Sequence, residues 1–110
     1  MVNKYRNIKT VLDGIKFASK KEAARYAELK LLAAGHAIMY LELQPKIKIV
    51  IGGVAVKFDS GRQVSYIADF RYFDVEKQVW IVEDTKGYAT RSYKLKKAMV
   101  RAMGVEVVET

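Results

Sequence analysis

The stretch that decides the fold is "YIADFRYFDVEKQVWIVEDTKG", Tyr66 to Gly87. It contains two runs rich in β-branched and aromatic residues, separated by Asp74-Val75-Glu76-Lys77, which suits a turn. Two strands are expected. The second, within "KQVWIVEDTKG", carries Glu83, Asp84 and Lys86 beside residues that favour burial. Isolated charges are expensive to bury, so charges in such a strand are either exposed or held for chemistry.

Upstream, "TVLDGIKF" predicts a short hairpin, because Asp13-Gly14 is a favoured type I′ turn between apolar residues. Ser19 opens a helix running to about Gly35, with Ser19 and Glu22 spaced as a capping box and Gly35 as the stop. "YLELQPKIKIVI" alternates and ends at Gly52-Gly53, a hairpin signal, and "VAVKF" follows. "GRQVSYIADFRYFDV" is expected as one long run. Downstream, a second helix spans about Thr90 to Met103, ended by Gly104, and "VEVVE" closes the chain as a strand. Residues 1–9, with Lys4, Arg6 and Lys9 around Tyr5, are expected to form a basic flexible arm. The order is hairpin, helix, three or four strands, helix, strand. It predicts a mixed α/β domain with a largely antiparallel sheet and helices packed on it.

A chain of 110 residues with 51% hydrophobic content is one domain with a core of its own. The absence of cysteine excludes a disulfide framework and a thiolate metal site, and suits a reducing cytoplasm. No apolar run approaches the roughly 20 residues that cross a bilayer. "MVNKYRNIKT" has a basic start with no apolar segment behind it, so no signal peptide is expected. The net charge of +8, from 20 Lys and Arg against 12 Asp and Glu, points to a polyanionic partner, nucleic acid foremost. Solubility alone is the competing explanation.

Residues two apart in a strand share a face about 7 Å apart. Val82, Asp84 and Lys86 therefore lie on one face, and Ile81, Glu83 and Thr85 on the other. Asp69 stands alone in "YIADF"; if the two runs pair as neighbours, Asp69 and Asp84 converge. Two carboxylates about 4 Å apart repel by roughly 4 kcal/mol at an effective dielectric near 20, a cost that a divalent cation removes. All-oxygen ligands suit Mg²⁺, which binds one or two carboxylates plus waters and a substrate phosphate. Beside such an ion Lys86 would position or activate a water, or neutralise a phosphorane. The chemistry indicated is phosphodiester hydrolysis. A surface Asp84–Lys86 ion pair, with Asp69 capping a turn, is the competing reading. On the first helix Glu22 shares a side with Tyr26, Leu29 and Ala33, whereas Lys21, Arg25 and Glu28 occupy the other. Glu83, opposite Lys86, is assigned to structure or to a neighbour's positive charge. Asp59, Asp74 and Glu76 are assigned to loops, and His36 to the helix end.

The series Glu22 on a first helix, Asp69 on a strand, Asp84-Thr85-Lys86 on the next and then a helix resembles the PD-(D/E)XK nuclease superfamily. It is more similar still to short phage and prophage endonucleases described as Holliday-junction-resolvase-like. Their pattern is echoed by "KYRNIKT", "DGIKFASKKEAARY", "LELQPK", "YIADFRY" and "VEDTKG", over nearly the whole chain. The resemblance implies a single nuclease domain over 1–110. Its restriction-endonuclease-like core (αβββαβ) would be a mixed sheet flanked by helices, preceded by a short N-terminal hairpin. It implies Asp69 and Asp84 as metal ligands, Lys86 as the catalytic lysine, and Glu22 as a further acidic site residue, acting directly or through water. Gln44 within "LELQP" would line the site. Mg²⁺ would be the cofactor, with Mn²⁺ able to substitute, and no organic cofactor is implied. The proline of the "PD" half is replaced by Ala68.

In the second helix Lys94, Lys97 and Arg101 are spaced to form a basic stripe, with Leu95, Met99 and Ala102 turned to the core. Such a stripe can line a phosphate backbone, although it also suits a solvated face. Arg91 and the Lys86-Gly87-Tyr88 segment would close on the scissile phosphate, Tyr88 or Tyr93 would stack on an unpaired base, and Lys4 and Arg6 would add backbone contacts. No sequence-reading motif is visible, so branched DNA recognised by shape is the expected substrate. A two-fold junction cut on two strands calls for a homodimer. No membrane partner is expected. A non-catalytic basic nucleic-acid-binding module and a basic scaffold protein are the rival functions.

Overall fold

Turn chemistry sets the first element. In the computed structural model, which describes residues 9–85 and 90–110, β1 (Thr10–Leu12) and β2 (Ile15–Phe17) pair antiparallel. Asp13 and Gly14 sit between them at φ of 54° and 75°, the two left-handed positions of a type I′ turn. Helix α1 (Lys20–Ala34) starts where expected, with Ser19 Oγ accepting from the Glu22 N–H at 3.1 Å.

The stop of α1 falls at Gly35, as expected, but the left-handed residue of the cap is the next one. Gly35 keeps φ at −85°, and His36 takes the left-handed position at 62°. The His36 N–H bonds Ala33 O at 3.0 Å and the Ala37 N–H bonds Leu32 O at 2.9 Å, the paired bonds of a Schellman motif. His36 thus stands where glycine is preferred.

The remaining elements are β3 (Ile38–Leu43), β4 (Lys46–Lys48), β5 (Val50–Ile51), β6 (Val54–Ala55), β7 (Ser65–Ile67), β8 (Phe70–Asp74), β9 (Val79–Asp84), α2 (Arg91–Ala102) and β10 (Glu106–Glu109). The chain is therefore mixed α/β. A four-stranded sheet runs in the order β10-β9-β8-β3, antiparallel except for the parallel β9–β10 pair, to which α2 forms the crossover. Its strands and the two helices follow the order αβββαβ. The Asp74–Gln78 connection is the expected turn, closed by Asp74 Oδ1 on the Lys77 N–H at 3.0 Å. The Gly52-Gly53 hairpin forms between β5 and β6.

Two strand runs expected to be continuous are broken at one level. "YLELQPKIKIVI" splits into β3, β4 and β5 around Gln44, at φ 49°, and Pro45, whose ring nitrogen has no hydrogen to donate. "GRQVSYIADFRYFDV" splits into β7 and β8 at Ala68-Asp69. The Gln44 N–H bonds Asp69 O at 2.9 Å and the Ala68 N–H bonds Pro45 O at 3.2 Å across the break. The two runs stay together there, yet β4–β7 forms a separate two-stranded sheet. Asp69 lies in this seam.

The sheet carries a core on each face. Phe70, Tyr72 and Ile81 pack with Ala23, Tyr26 and Leu29 of α1, and with Phe17 of the hairpin. Val82 and Val107 pack with Val100 of α2, and with Ile49, Val64, Tyr66 and Ala68 around the second sheet. Leu29 and Val100 are fully buried, each contributing about 1.5–3 kcal/mol of apolar transfer energy. Neither helix is long and apolar enough to cross a membrane.

Candidate active site

Strand alternation sends Asp84 to the α2 side of β9 and Glu83 to the α1 side, as the spacing predicts. Both are buried. Asp84 is locked to Asp69 by reciprocal bonds. The Asp69 N–H donates to Asp84 Oδ1 at 3.1 Å, shared with Glu83 O at 3.1 Å, and the Thr85 N–H donates to Asp69 Oδ2 at 2.6 Å. The Tyr93 hydroxyl on α2 donates to Asp84 Oδ2. Each carboxylate is thus oriented by backbone from the opposite strand, an arrangement possible because the seam at Ala68-Asp69 releases Asp69 from a regular ladder. Ala68 spends its own N–H on Pro45 O, a bond that a proline at this position could not make.

Glu22 completes the acidic group from α1. Burial raises its pKa above the ordinary carboxylate value, and the negative charges of Asp69 and Asp84 raise it further, against a backbone hydrogen bond at Ala18 that lowers it. Asp84 is also pushed up by burial, opposed by the Tyr93 hydroxyl, the Asp69 N–H and the charge of Lys97. A cavity of about 200 Å³ is lined by Glu22, Asp69, Gln44, Leu43 and Phe17, together with Lys16 of β2. Gln44 shares this cavity with Glu22 and Asp69. Lys16 is a site neighbour that the sequence did not give, and Tyr93, expected to stack on an unpaired base, instead turns its hydroxyl to Asp84. The Lys16 position follows from the hairpin folding over the start of α1, a long-range packing event with no local signal.

Glu83 is structural. It is wholly buried and accepts from Arg25 Nε at 2.5 Å, Arg25 Nη2 at 3.0 Å and the Tyr72 hydroxyl at 2.5 Å. Arg25, expected on the outer side of α1, instead reaches the sheet. Its stem is long enough to carry the guanidinium around the helix to a buried carboxylate. The Tyr72 phenol is raised by burial and by this carboxylate.

The basic stripe of α2 is corrected by the structure. Lys97 is buried, its ammonium 3.4 Å from Glu109 and over the Tyr93 ring at 5.0 Å. Leu95, expected inward, is exposed, and the inner face is built from Tyr93, Lys97 and Val100. The helix is rotated because β10 presents Glu109 in register with Asp84, and Lys97 serves both acids. Arg101 donates to Val107 O at 3.0 Å and keeps its partial exposure. Arg91 and Lys94 remain on the exposed side. Tyr93 packs against Tyr66 with centroids 5.4 Å apart, so its ring serves the core while its hydroxyl serves Asp84. Lys4, Arg6, Lys86 and Tyr88 lie outside the described residues.

Among the described residues no three Asp, Glu or His side chains are arranged as a ready-made metal cluster. The donors present still suit a hard cation that keeps most of its waters. Asp69 and Asp84 offer carboxylate oxygens whose second lone pairs the backbone bonds do not use. The buried Thr85 hydroxyl, on the residue after Asp84, has no hydrogen-bond partner among the described residues. A hydrated ion beside the two aspartates would relieve the repulsion that adds to the effect of burial on Glu22.

The family described as "Protein of unknown function (DUF1064)" matches residues 2–109. The chain belongs to this family. The match spans every described element, from the β1–β2 hairpin to β10. No curated protein and no solved structure matches the chain.

Proposed function

We propose that this DUF1064 protein is a Mg²⁺-dependent endodeoxyribonuclease with a restriction-endonuclease-like core of the PD-(D/E)XK kind, acting on branched DNA such as a Holliday junction. The observation that carries the reading is the reciprocal Asp69–Asp84 clasp at the seam of the sheet, with Glu22 close enough to feel both charges. Acidic groups held against their mutual repulsion are a hallmark of sites that bind a cation or run acid–base chemistry. The αβββαβ order and the surplus of cations support it.

In this reading Asp69 and Asp84 hold the metal and Glu22 contributes through a water. The ion, when bound, lowers the pKa of a water and offsets charge on the phosphoryl oxygen. Tyr93 and the Asp69 N–H hold Asp84 in place and oppose the upward push of burial on its pKa, and Lys97 adds a positive charge toward the same carboxylate. Lys86, two residues after Asp84, is assigned the catalytic lysine from the motif alone. Arg91, Lys94 and Arg101 would contact the DNA backbone, Lys4 and Arg6 extending those contacts. A homodimer would give each strand of a junction its own site. The resemblance sets this activity in phage DNA processing in the host cytoplasm.

One observation favours a non-catalytic nucleic-acid-binding module instead: both Asp84 oxygens already accept protein hydrogen bonds. Incubation with junction, flap, nicked and linear DNA in Mg²⁺, Mn²⁺ or EDTA separates the two. Cleavage that needs the metal and disappears in Asp69→Asn, Asp84→Asn and Lys86→Ala is expected. Salt-sensitive binding without any cleavage would establish the module.

A further inference from the structure

We infer that the α2-side face of the central sheet carries a second nucleic-acid site, a stacking platform centred on Trp80 that takes an unpaired base of single-stranded or branched DNA. Trp80 is the sole tryptophan of the chain and is 50% exposed although it sits in a central strand. Tyr40, 67% exposed, stacks on it with centroids 5.8 Å apart at 28°, and Phe73 meets it edge-on at 5.4 Å. The Arg71 guanidinium lies over the same indole at 5.9 Å while paired to Glu42. Bases stack on aromatic faces and arginine planes whatever their sequence, so this cluster offers what an unpaired base needs.

The backbone is bent to make it. Tyr40 has φ of 58° inside a register shift between Met39 and Glu42 of β3. A tyrosine in the left-handed region is strained, and bulges of this kind re-aim a side chain. Here the ring is aimed onto Trp80 and away from the core.

Charge selects the occupant. The cluster borders a recess of about 300 Å³ lined by Ile47, Arg71, Trp80, Val82 and Val105. The acids nearby, Glu42 and Asp74, already hold Arg71 and the Lys77 N–H. The net charge of +8 favours a polyanion on this face. Trp80, Val82 and Asp84 alternate on one face of β9, which puts Trp80 about 13 Å from Asp84 along the strand. A strand anchored by one base at Trp80 would reach the acidic site within a few nucleotides. That spacing rests on the nuclease reading; the platform itself does not.

Titration of Trp80 fluorescence with single-stranded oligothymidylate and with a duplex of equal length, both in EDTA, tests it. The expected result is quenching by the single strand at lower concentration than by the duplex. Affinity should fall about 5- to 150-fold in Trp80→Ala, read by anisotropy of a labelled oligonucleotide, and several-fold in Tyr40→Ala, whose exposed side chain can be removed without opening the core. Unchanged fluorescence, or unchanged affinity in both variants, overturns the platform. So does sedimentation showing that wild type dimerises and Trp80→Ala does not while DNA affinity stays the same, because the face would then bind a second copy. Binding in EDTA that depends on Trp80, with no cleavage in Mg²⁺, would retain the platform and remove the nuclease. Cleavage with Trp80-independent binding would do the reverse.

Discussion

Asp69 and Asp84 hold each other in place through main-chain donors: the amide of one bonds the carboxylate of the other, and the amide following the second returns the bond. Two like charges are brought together here by hydrogen bonds that each receives from the other's strand. Their proximity is a property of the sheet.

Replacing Asp84 by alanine leaves the Asp69 amide with only Glu83 O and the Tyr93 hydroxyl without its acceptor. A loss of about 1–3 kcal/mol in unfolding free energy is expected by urea denaturation. Asp84→Asn keeps one acceptor oxygen and should lose less. Both variants should lose metal-dependent cleavage, and retained cleavage in Asp84→Asn would remove Asp84 from the site.

The Arg25–Glu83–Tyr72 network ties α1 to the sheet. Glu83→Ala should destabilise the protein by about 3–5 kcal/mol, since a buried guanidinium and a buried phenol lose their shared partner. Glu83→Gln should cost less. If guanidinium unfolding places Glu83→Ala within about 1 kcal/mol of wild type, the pair is not the tie it looks to be.

Stability should decline with rising pH through the acidic site. Glu22 and Asp84 both have folded pKa values above their ordinary ones. The folded state then binds more protons than the unfolded chain between the two values. The stability tied to these groups is fully present below the unfolded value and is lost as pH rises through the folded one. Glu22→Gln, which removes a repelled charge, should therefore raise the melting temperature at pH 7 and change it little at pH 4. Added Mg²⁺ should stabilise wild type at pH 7 more than it stabilises Glu22→Gln.

Tyr93→Phe removes the largest influence that opposes the upward shift of Asp84. The acid limb of cleavage against pH should move to higher pH, while cleavage well above that limb stays near wild type. An unmoved limb in a folded Tyr93→Phe variant would show that Asp84 ionisation does not govern the reaction.

His36→Gly relieves a left-handed residue at the α1 stop. A gain of about 0.5–1 kcal/mol is expected by thermal or urea unfolding, with DNA binding unaltered. A loss would mean that the imidazole makes a compensating contact.

Much of this was legible from local rules. The Asp13-Gly14 turn, the Ser19 cap, the Asp74–Gln78 connection and the opposite facing of Glu83 and Asp84 all follow from turn chemistry and two-residue alternation. What local rules missed depended on reach and docking. Arg25 leaves its own face of α1 to find Glu83, and α2 turns Lys97 inward because β10 supplies Glu109 there. The break at Gln44-Pro45 was passed over because the run alternates on both sides of the lone proline, and the matching break at Ala68-Asp69 had no mark at all. It arises from pairing with the proline-bearing run.

That seam has a consequence for anyone who tries to improve the molecule. Idealising the crossing point, by mutations that let the strands zip straight through, would smooth the surface and harden the fold. It would also close the very notch in which the two aspartates meet. On the nuclease reading proposed above, ruggedness and reactivity would be set against each other at that crossing, and a sturdier homologue would be expected to be the more inert one.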